Sequence, residues 1–318
     1  MSYYDNKKIV IAGGGGFVGS YIAQELKKYK CKIFIPRTKD GWNFTILRRC
    51  LTYLKETKPD VIINCAAHQG GIMYDKLKRA QIYYDNILMG TYLMEAARRI
   101  GVEKYINVSA GCAYPGYLNK DEMSEEDYWN GPIHESVLNY GFTKKAQIVQ
   151  GWCYKEQYGF NSIHLIMANM YGPEEHFHQD RSHGLAALIK KVYDAKKSGQ
   201  TEIEVWGSGK PVREWLYVKD AAKGILLAGE KYNEVAPMNI GTGTGQSITK
   251  LVRTIMKVVG FRGKIKYLTD MPDGAMKKTL NIRKMRRTLD WIPETSIEVG
   301  IKETVEWLDK NYKYAISR

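Results

Sequence analysis

The sequence predicts an α/β fold built on a doubly wound parallel sheet, with a smaller α/β unit toward the C-terminus. Three features carry that expectation. A glycine-rich turn at residues 13–19 sits between an apolar β-branched run and an amphipathic helix. Short apolar runs then alternate with helical patterns to about residue 167. The length of 318 residues, 44% of them apolar, suffices for one large domain or two unequal ones.

Taken in order, KIVIA (residues 8–12) is the kind of strand buried on both faces of a parallel sheet. Gly13, Gly16 and Gly19, with Phe17 and Val18 between the last two, place a GxxGxxG turn ahead of a helix over residues 20–30. Such glycines permit a tight turn, let a pyrophosphate approach the backbone and aim a helix N-terminus at it, so a dinucleotide is expected here. The second strand, residues 31–36, ends in Arg37, which either pairs with a 2′-phosphate or is a surface residue of the loop. NADP(H) is favoured on this reading, with NAD(H) as the alternative. The third strand, residues 60–66, ends in Ala66 and Ala67, small enough for a cofactor to pass close by. A helix over residues 80–100 and a fourth strand over 102–110 follow, then Cys112 at the carboxyl edge of the sheet, where open α/β folds bind ligands. Cys112 is a candidate base, although an isolated Cys after a strand more often reads as a small buried hydrophobe. A helix over 135–158 carries Tyr140 and Lys144 on one face, a spacing that lets a cation lower the pKa of a phenol. A fifth strand, 161–167, precedes a break at 169–173 and a loop holding His176, His178 and His183, whose spacing lacks a paired metal-ligand set.

Charge and cysteine usage narrow the function classes. The formal net charge of +14 is spread through the chain, with its densest stretch from Arg262 to Arg287, and no aromatic-rich or groove-reading motif accompanies it. Nucleic-acid binding is therefore not expected. No apolar run is long enough to cross a bilayer. The cysteines Cys31, Cys50, Cys65, Cys112 and Cys153 are odd in number and include no CxxC pair, so they read as reduced thiols in a cytoplasmic protein with no structural metal.

With these motifs in place, the chain resembles the extended short-chain dehydrogenase/reductases and, among them, the GDP-L-fucose synthase branch, whose members are 3,5-epimerase-4-reductases of GDP-4-keto-6-deoxymannose. The resemblance spans nearly the whole chain. It is carried by GGGGFVG, RTKD, NCAAHQGGI, AGCAYPG, YGFTK, NMYGPEEHFHQDRSHGLAALIKK, WGSGKPVREWLYVKD, MNIGTG and PDGAMKK. It implies that Tyr140 protonates the C4 oxygen as hydride arrives and that Lys144 holds the nicotinamide ribose. Cys112 and His183 match the epimerisation pair, a thiolate and an imidazolium on opposite faces of the sugar. Asn169, His183, Lys191, Trp206, Arg213 and Lys278 fall at or near positions that hold the GDP-sugar, and a homodimer is implied.

The implied division is a Rossmann domain of residues 1–168 with 212–242, and a substrate domain of 169–211 with 243–318. Three departures qualify the match. Ala110 stands where the family has a Ser or Thr that bonds the substrate carbonyl, His68 where it has Lys, and Lys191 where it usually has Arg. The expected activity is NADPH-dependent reduction, with epimerisation, of a GDP-linked 4-keto 6-deoxy sugar. The rivals are an NAD-dependent 4-epimerase or 4-dehydrogenase of a nucleotide sugar, and a catalytically idle binding homologue.

Overall fold

In the computed structural model, residues 2–118, 120–178, 181–182, 184–271, 273 and 275–317 are described. The first half runs β1 (Lys8–Ala12), α1 (Phe17–Leu26), β2 (Lys32–Phe34), α2 (Leu47–Thr57), β3 (Val61–Asn64), α3 (Ile72–Leu77), α4 (Arg79–Ile100), β4 (Lys104–Ala110), α5 (Leu138–Tyr158) and β5 (Ser162–Met167). The second half runs β6 (Asn169–Tyr171), α6 (Gly184–Lys197), β7 (Glu202–Trp206), β8 (Val212–Tyr217), α7 (Val218–Lys231), β9 (Met238–Ile240), β10 (Gly245–Ser247), α8 (Ile248–Val259), β11 (Lys264–Leu268), β12 (Lys277–Lys278), α9 (Arg283–Leu289) and α10 (Ile297–Ser317).

Six strands form the main sheet in the order β2-β1-β3-β4-β5-β9, and every neighbouring pair is parallel. Alternation along β1 explains why both faces are covered. Ile9 and Ile11 pack under α1 and α7 with Ile22, Leu26 and Ile225, whereas Val10 faces α2 and α4 with Leu54, Leu93 and Ala97. The strand order reverses between β1 and β3, so their carboxyl ends flank the crevice where such sheets take a ligand.

A second apolar core lies beyond this sheet, between α6, α8 and α10 and the parallel pair β7 and β11. Between the two cores runs β8. It pairs with β10, β12 and β6, and Leu216 joins the first core while Tyr217 joins the second. Among the described residues no helix is long and apolar enough to cross a membrane.

The structure departs from the sequence expectations at three places. Helix α1 begins at Phe17 rather than Ser20, because Gly13 adopts φ +76° and Gly16 N bonds Gly13 O at 2.9 Å, which completes the turn before Phe17. Helix α2 has no counterpart in the sequence reading. The expected break at 169–173 instead contains β6, which pairs Asn169, Met170 and Tyr171 with Trp215, Leu216 and Tyr217. A strand of three residues is stabilised by a partner distant in sequence, so local pattern does not reveal it.

Candidate active site

The crevice between β1 and β3 has the shape a dinucleotide needs. A side chain on Gly13 would meet Ala66 N at 2.8 Å, and one on Gly19 would meet Gly13 O at 2.3 Å, so neither position admits a Cβ. A side chain on Gly15 would come into ordinary contact with Arg37, whose Nε lies 3.6 Å from where it would begin. Gly16 caps α1 with no side-chain bond, and the first turn holds no acidic residue. The leading N–H groups at Phe17 and Val18 thus have no intrahelical acceptor and would present an anion with the positive end of the helix. Ala66 is half-buried and Ala67 exposed at the far wall. These residues fit a dinucleotide, and Arg37 fits an additional phosphate.

Strand β4 and helix α5 bring the chemistry to the same edge. Tyr140 is 6% exposed and Lys144 2%, both directed inward from α5. Lys144 Nζ donates to Val108 O at 3.0 Å and lies 5.5 Å from the centre of the Tyr140 ring. The expected lowering of the phenol pKa is not what this arrangement produces. Burial pushes the Tyr140 hydroxyl well above its usual range, with Cys112, Tyr128, Asp75 and Cys65 adding to the effect. Lys144 is itself pushed down to about 8 by burial, against the opposing influence of Cys65 and Cys112. The consequence is a neutral phenol, the protonation state a proton donor needs. Cys112 departs from expectation in the same way. Burial raises its thiol to about 11, although Lys278 and Lys144 pull it down, so the ligand-free protein holds a thiol rather than a thiolate.

The substrate candidates divide into two places. Arg213 on β8 is half-buried, bonds Val212 O at 2.9 Å and reaches Asp273 O at 3.4 Å. Lys278 pairs with it across β12, and Asn169 Nδ2 donates to Glu214 O at 3.1 Å, so these three share one sheet. Lys191 and Trp206 belong to the outer rim: Lys191 Nζ bonds Glu204 O at 2.8 Å, and Trp206 is 52% exposed two residues along β7. His183 lies outside the described residues.

Residues 9–241 match the model of the NAD dependent epimerase/dehydratase family. The chain belongs to that family. It is 33% identical to the GDP-L-fucose synthase of Sinorhizobium fredii, covering 96% of both chains, and 31% identical to that of Escherichia coli, covering 96% of this chain and 97% of the other. The structure of a GDP-L-fucose synthetase from Naegleria fowleri bound to NADP superposes with a TM-score of 0.89 at 28% identity, covering 99% of this chain and 98% of that one.

Within this epimerase/dehydratase framework, the departures acquire a geometry. Ala110 ends β4 with no hydroxyl, and Ser109 does not supply one. Its Oγ is 3.2 Å from the buried hydroxyl of Tyr128, which also bonds Ala110 O at 3.3 Å, and Ser109 is 3% exposed. His68 is tied at both ring nitrogens, Nδ1 to Asp85 Oδ2 at 2.7 Å and Nε2 to the Tyr74 hydroxyl at 2.8 Å.

Sequence reasoning missed Glu214 and Asp75. Glu214, 1% exposed, accepts bonds from Thr242 N, Gly243 N and Leu280 N and so joins three segments around Arg213 and Lys278. Its only signal was adjacency to Arg213 in the REW motif. Asp75, 5% exposed, is raised by burial and influences both Tyr140 and Cys112. Nothing in its local sequence marks it.

Proposed function

We propose that this protein is an NADPH-dependent reductase of a GDP-linked 4-keto sugar that also epimerises carbons next to the ketone. The observation that carries this reading is the convergence of a neutral Tyr140, Lys144 and Cys112 at the sheet edge beside a glycine turn guarded by Arg37. Its support from relatives is the 33% identity to a GDP-L-fucose synthase and the likeness to a structure holding NADP.

NADPH would lie against Gly13, Gly16, Phe17, Val18, Gly19, Ala66 and Ala67, with Arg37 at its 2′-phosphate, and would supply a hydride. Tyr140 holds the proton for the developing C4 oxyanion, and Lys144, anchored on Val108 O, stabilises the phenolate that results. Arg213, Lys278 and Asn169 bind the GDP-sugar from β8 and its neighbours, with Lys191 and Trp206 at the rim. Cys112 acts as base for the acidic protons flanking the ketone. The partner assigned to it by resemblance is His183.

The two apolar cores support a Rossmann domain of residues 1–168 with 212–242 and a substrate domain of 169–211 with 243–318, with α9 packed on the first core. A cytoplasmic homodimer completes the proposal. Exposed Tyr83 and Tyr84 on α4, with Leu138, Phe142 and Val149 on α5, offer the apolar face a partner copy would cover.

Incubation with NADPH and a panel of GDP-4-keto sugars in deuterated water tests the reading. NADPH oxidation with deuterium uptake is expected; neither, across the panel, refutes it. Tyr140→Phe should lower reduction by about 10²–10⁴-fold. Cys112→Ser should abolish deuterium uptake while sparing a substrate that needs no inversion. NAD(H) that stays bound through purification would point instead to a 4-epimerase or 4-dehydrogenase. Ala110 favours one further reading, a binding homologue without turnover, which predicts GDP-sugar binding and no reaction even after Ala110→Ser.

A further inference from the structure

Strand β8 gathers side chains from its neighbours onto one face of its sheet. Gln246 on β10 stands opposite Arg213, Lys278 on β12 pairs with Arg213 from the other side, and Asn169 on β6 pairs with Trp215. Directly paired residues share a face, and alternation along β8 puts Arg213 and Trp215 on the same one. Asn169, Arg213 and Lys278 are the GDP-sugar contacts proposed above, whereas Trp215 and Gln246 have no task so far. Both line a cavity of about 320 Å³, together with Arg213, Thr242 and Thr244, and residues 293–298 face them across it. That opposite wall is tied down by Thr295 N, which donates to Asp220 Oδ2 at 3.0 Å. The indole also reaches the start of α6, where Trp215 Cη2 lies 3.4 Å from the point at which a side chain on Gly184 would begin.

Trp215 Nε1 and Gln246 Oε1 are buried, and among the described residues neither has a hydrogen-bond partner. Buried polar atoms are otherwise nearly always paired, so the same cavity wall holds a donor and an acceptor in need of a ligand. An indole N–H only donates and an amide oxygen only accepts. A phosphate oxygen would suit the first and repel the second, and an ammonium the reverse. A hydroxyl serves both, because it accepts and donates. We infer that Trp215 and Gln246 are specificity-determining residues that bind hydroxyl groups of the GDP-sugar beside the diphosphate held by Arg213. The inference rests on the GDP-sugar reading above and adds the groups that select it. Hydroxyls flank the diphosphate on both sides, on the ribose and on the hexose.

Calorimetric titration of the intact protein with inorganic pyrophosphate, GDP and GDP-mannose, each in turn, tests this. Trp215→Phe keeps an aromatic ring and removes the donor; Gln246→Leu removes the acceptor. Each should weaken GDP-mannose binding about tenfold, the loss expected for one hydrogen bond, and leave pyrophosphate binding unchanged. Equal losses for GDP and GDP-mannose assign the hydroxyls to the ribose, and a loss for GDP-mannose alone assigns them to the hexose. Because each variant deletes a buried atom that has no partner, the thermal midpoint of the ligand-free protein should not fall. Unchanged affinity for both nucleotides overturns the inference, whether or not the midpoint falls. An equal loss for pyrophosphate also overturns it, since that would locate the damage at Arg213. Gln246→Met serves if the leucine variant does not fold. Wild-type protein that binds GDP no better than its variants do fails the inference alone, whereas wild-type protein that binds no GDP fails the GDP-sugar reading with it.

Discussion

Replacing Glu214 by Gln preserves its shape and removes one of its two acceptors. In the native protein Oε1 accepts from Thr242 N at 2.5 Å and Gly243 N at 2.9 Å, and Oε2 from Leu280 N at 2.6 Å. Burial raises the pKa of this carboxyl, and the backbone bonds from Leu280, Gly243 and Thr242 pull it back down. A glutamine amide turned to keep the first two bonds sets its NH2 against Leu280 N–H. The opposite orientation strands two donors. One buried unsatisfied N–H costs roughly 1–3 kcal/mol, and loss of charge assistance in the remaining bonds adds about 1, for a total of about 2–4 kcal/mol. With a urea dependence of about 3 kcal/mol per molar, the unfolding midpoint should fall by roughly 1 M. Because β8 carries Arg213 and Leu280 follows Lys278 by two residues, KM for the GDP-sugar should rise more than kcat falls. An unchanged midpoint with an unchanged slope would refute the reasoning, since it would mean that Leu280 N–H finds another acceptor at no cost.

Two further perturbations address the cofactor and the core. Arg37→Ala should raise KM for NADPH about ten- to a hundredfold and leave that for NADH unchanged, as expected for loss of a charge-assisted phosphate contact; equal effects on the two cofactors would place Arg37 outside the 2′-phosphate site. His164 is fully buried between Asn107 Nδ2 (3.1 Å) and Ser162 Oγ (3.3 Å), and burial lowers its pKa to about 3 from an unfolded value of 6.5. A depressed pKa stabilises the fold fully above 6.5, and this contribution is lost as pH falls toward 3, by about 1.4 kcal/mol per unit, or roughly 2.7 kcal/mol at pH 4.5. Thermal unfolding of wild type and His164→Gln between pH 7 and 4.5 should therefore show a steeper decline in the wild type. Parallel curves would remove His164 from the acid sensitivity of the fold.

Local residue pattern was enough to determine the nucleotide turn and the strands around it. Gly13 and Gly19 are glycine because backbone lies within 3 Å of where a Cβ would be, and residues 9–12 of β1 are apolar because both faces are covered, with only Lys8 exposed. The Gly19 contact is to Gly13 O within the same turn, so that constraint is written in adjacent residues. The Tyr140 and Lys144 spacing was legible for the same reason, as a property of one helix. What the tertiary structure alone decided is the electrostatic state of the site. Tyr140 and Lys144 were expected to act as a phenol activated by a cation, but burial on α5 against β4 outweighs their mutual effect and leaves a neutral phenol beside a lysine lowered to about 8. Cys112 follows the same rule: burial raises its thiol to about 11, against the pull of Lys278 and Lys144, residues far from it in the chain. Desolvation depends on everything packed around a group, so a one-dimensional pattern can name the chemistry-bearing residues without fixing which of them carry a proton.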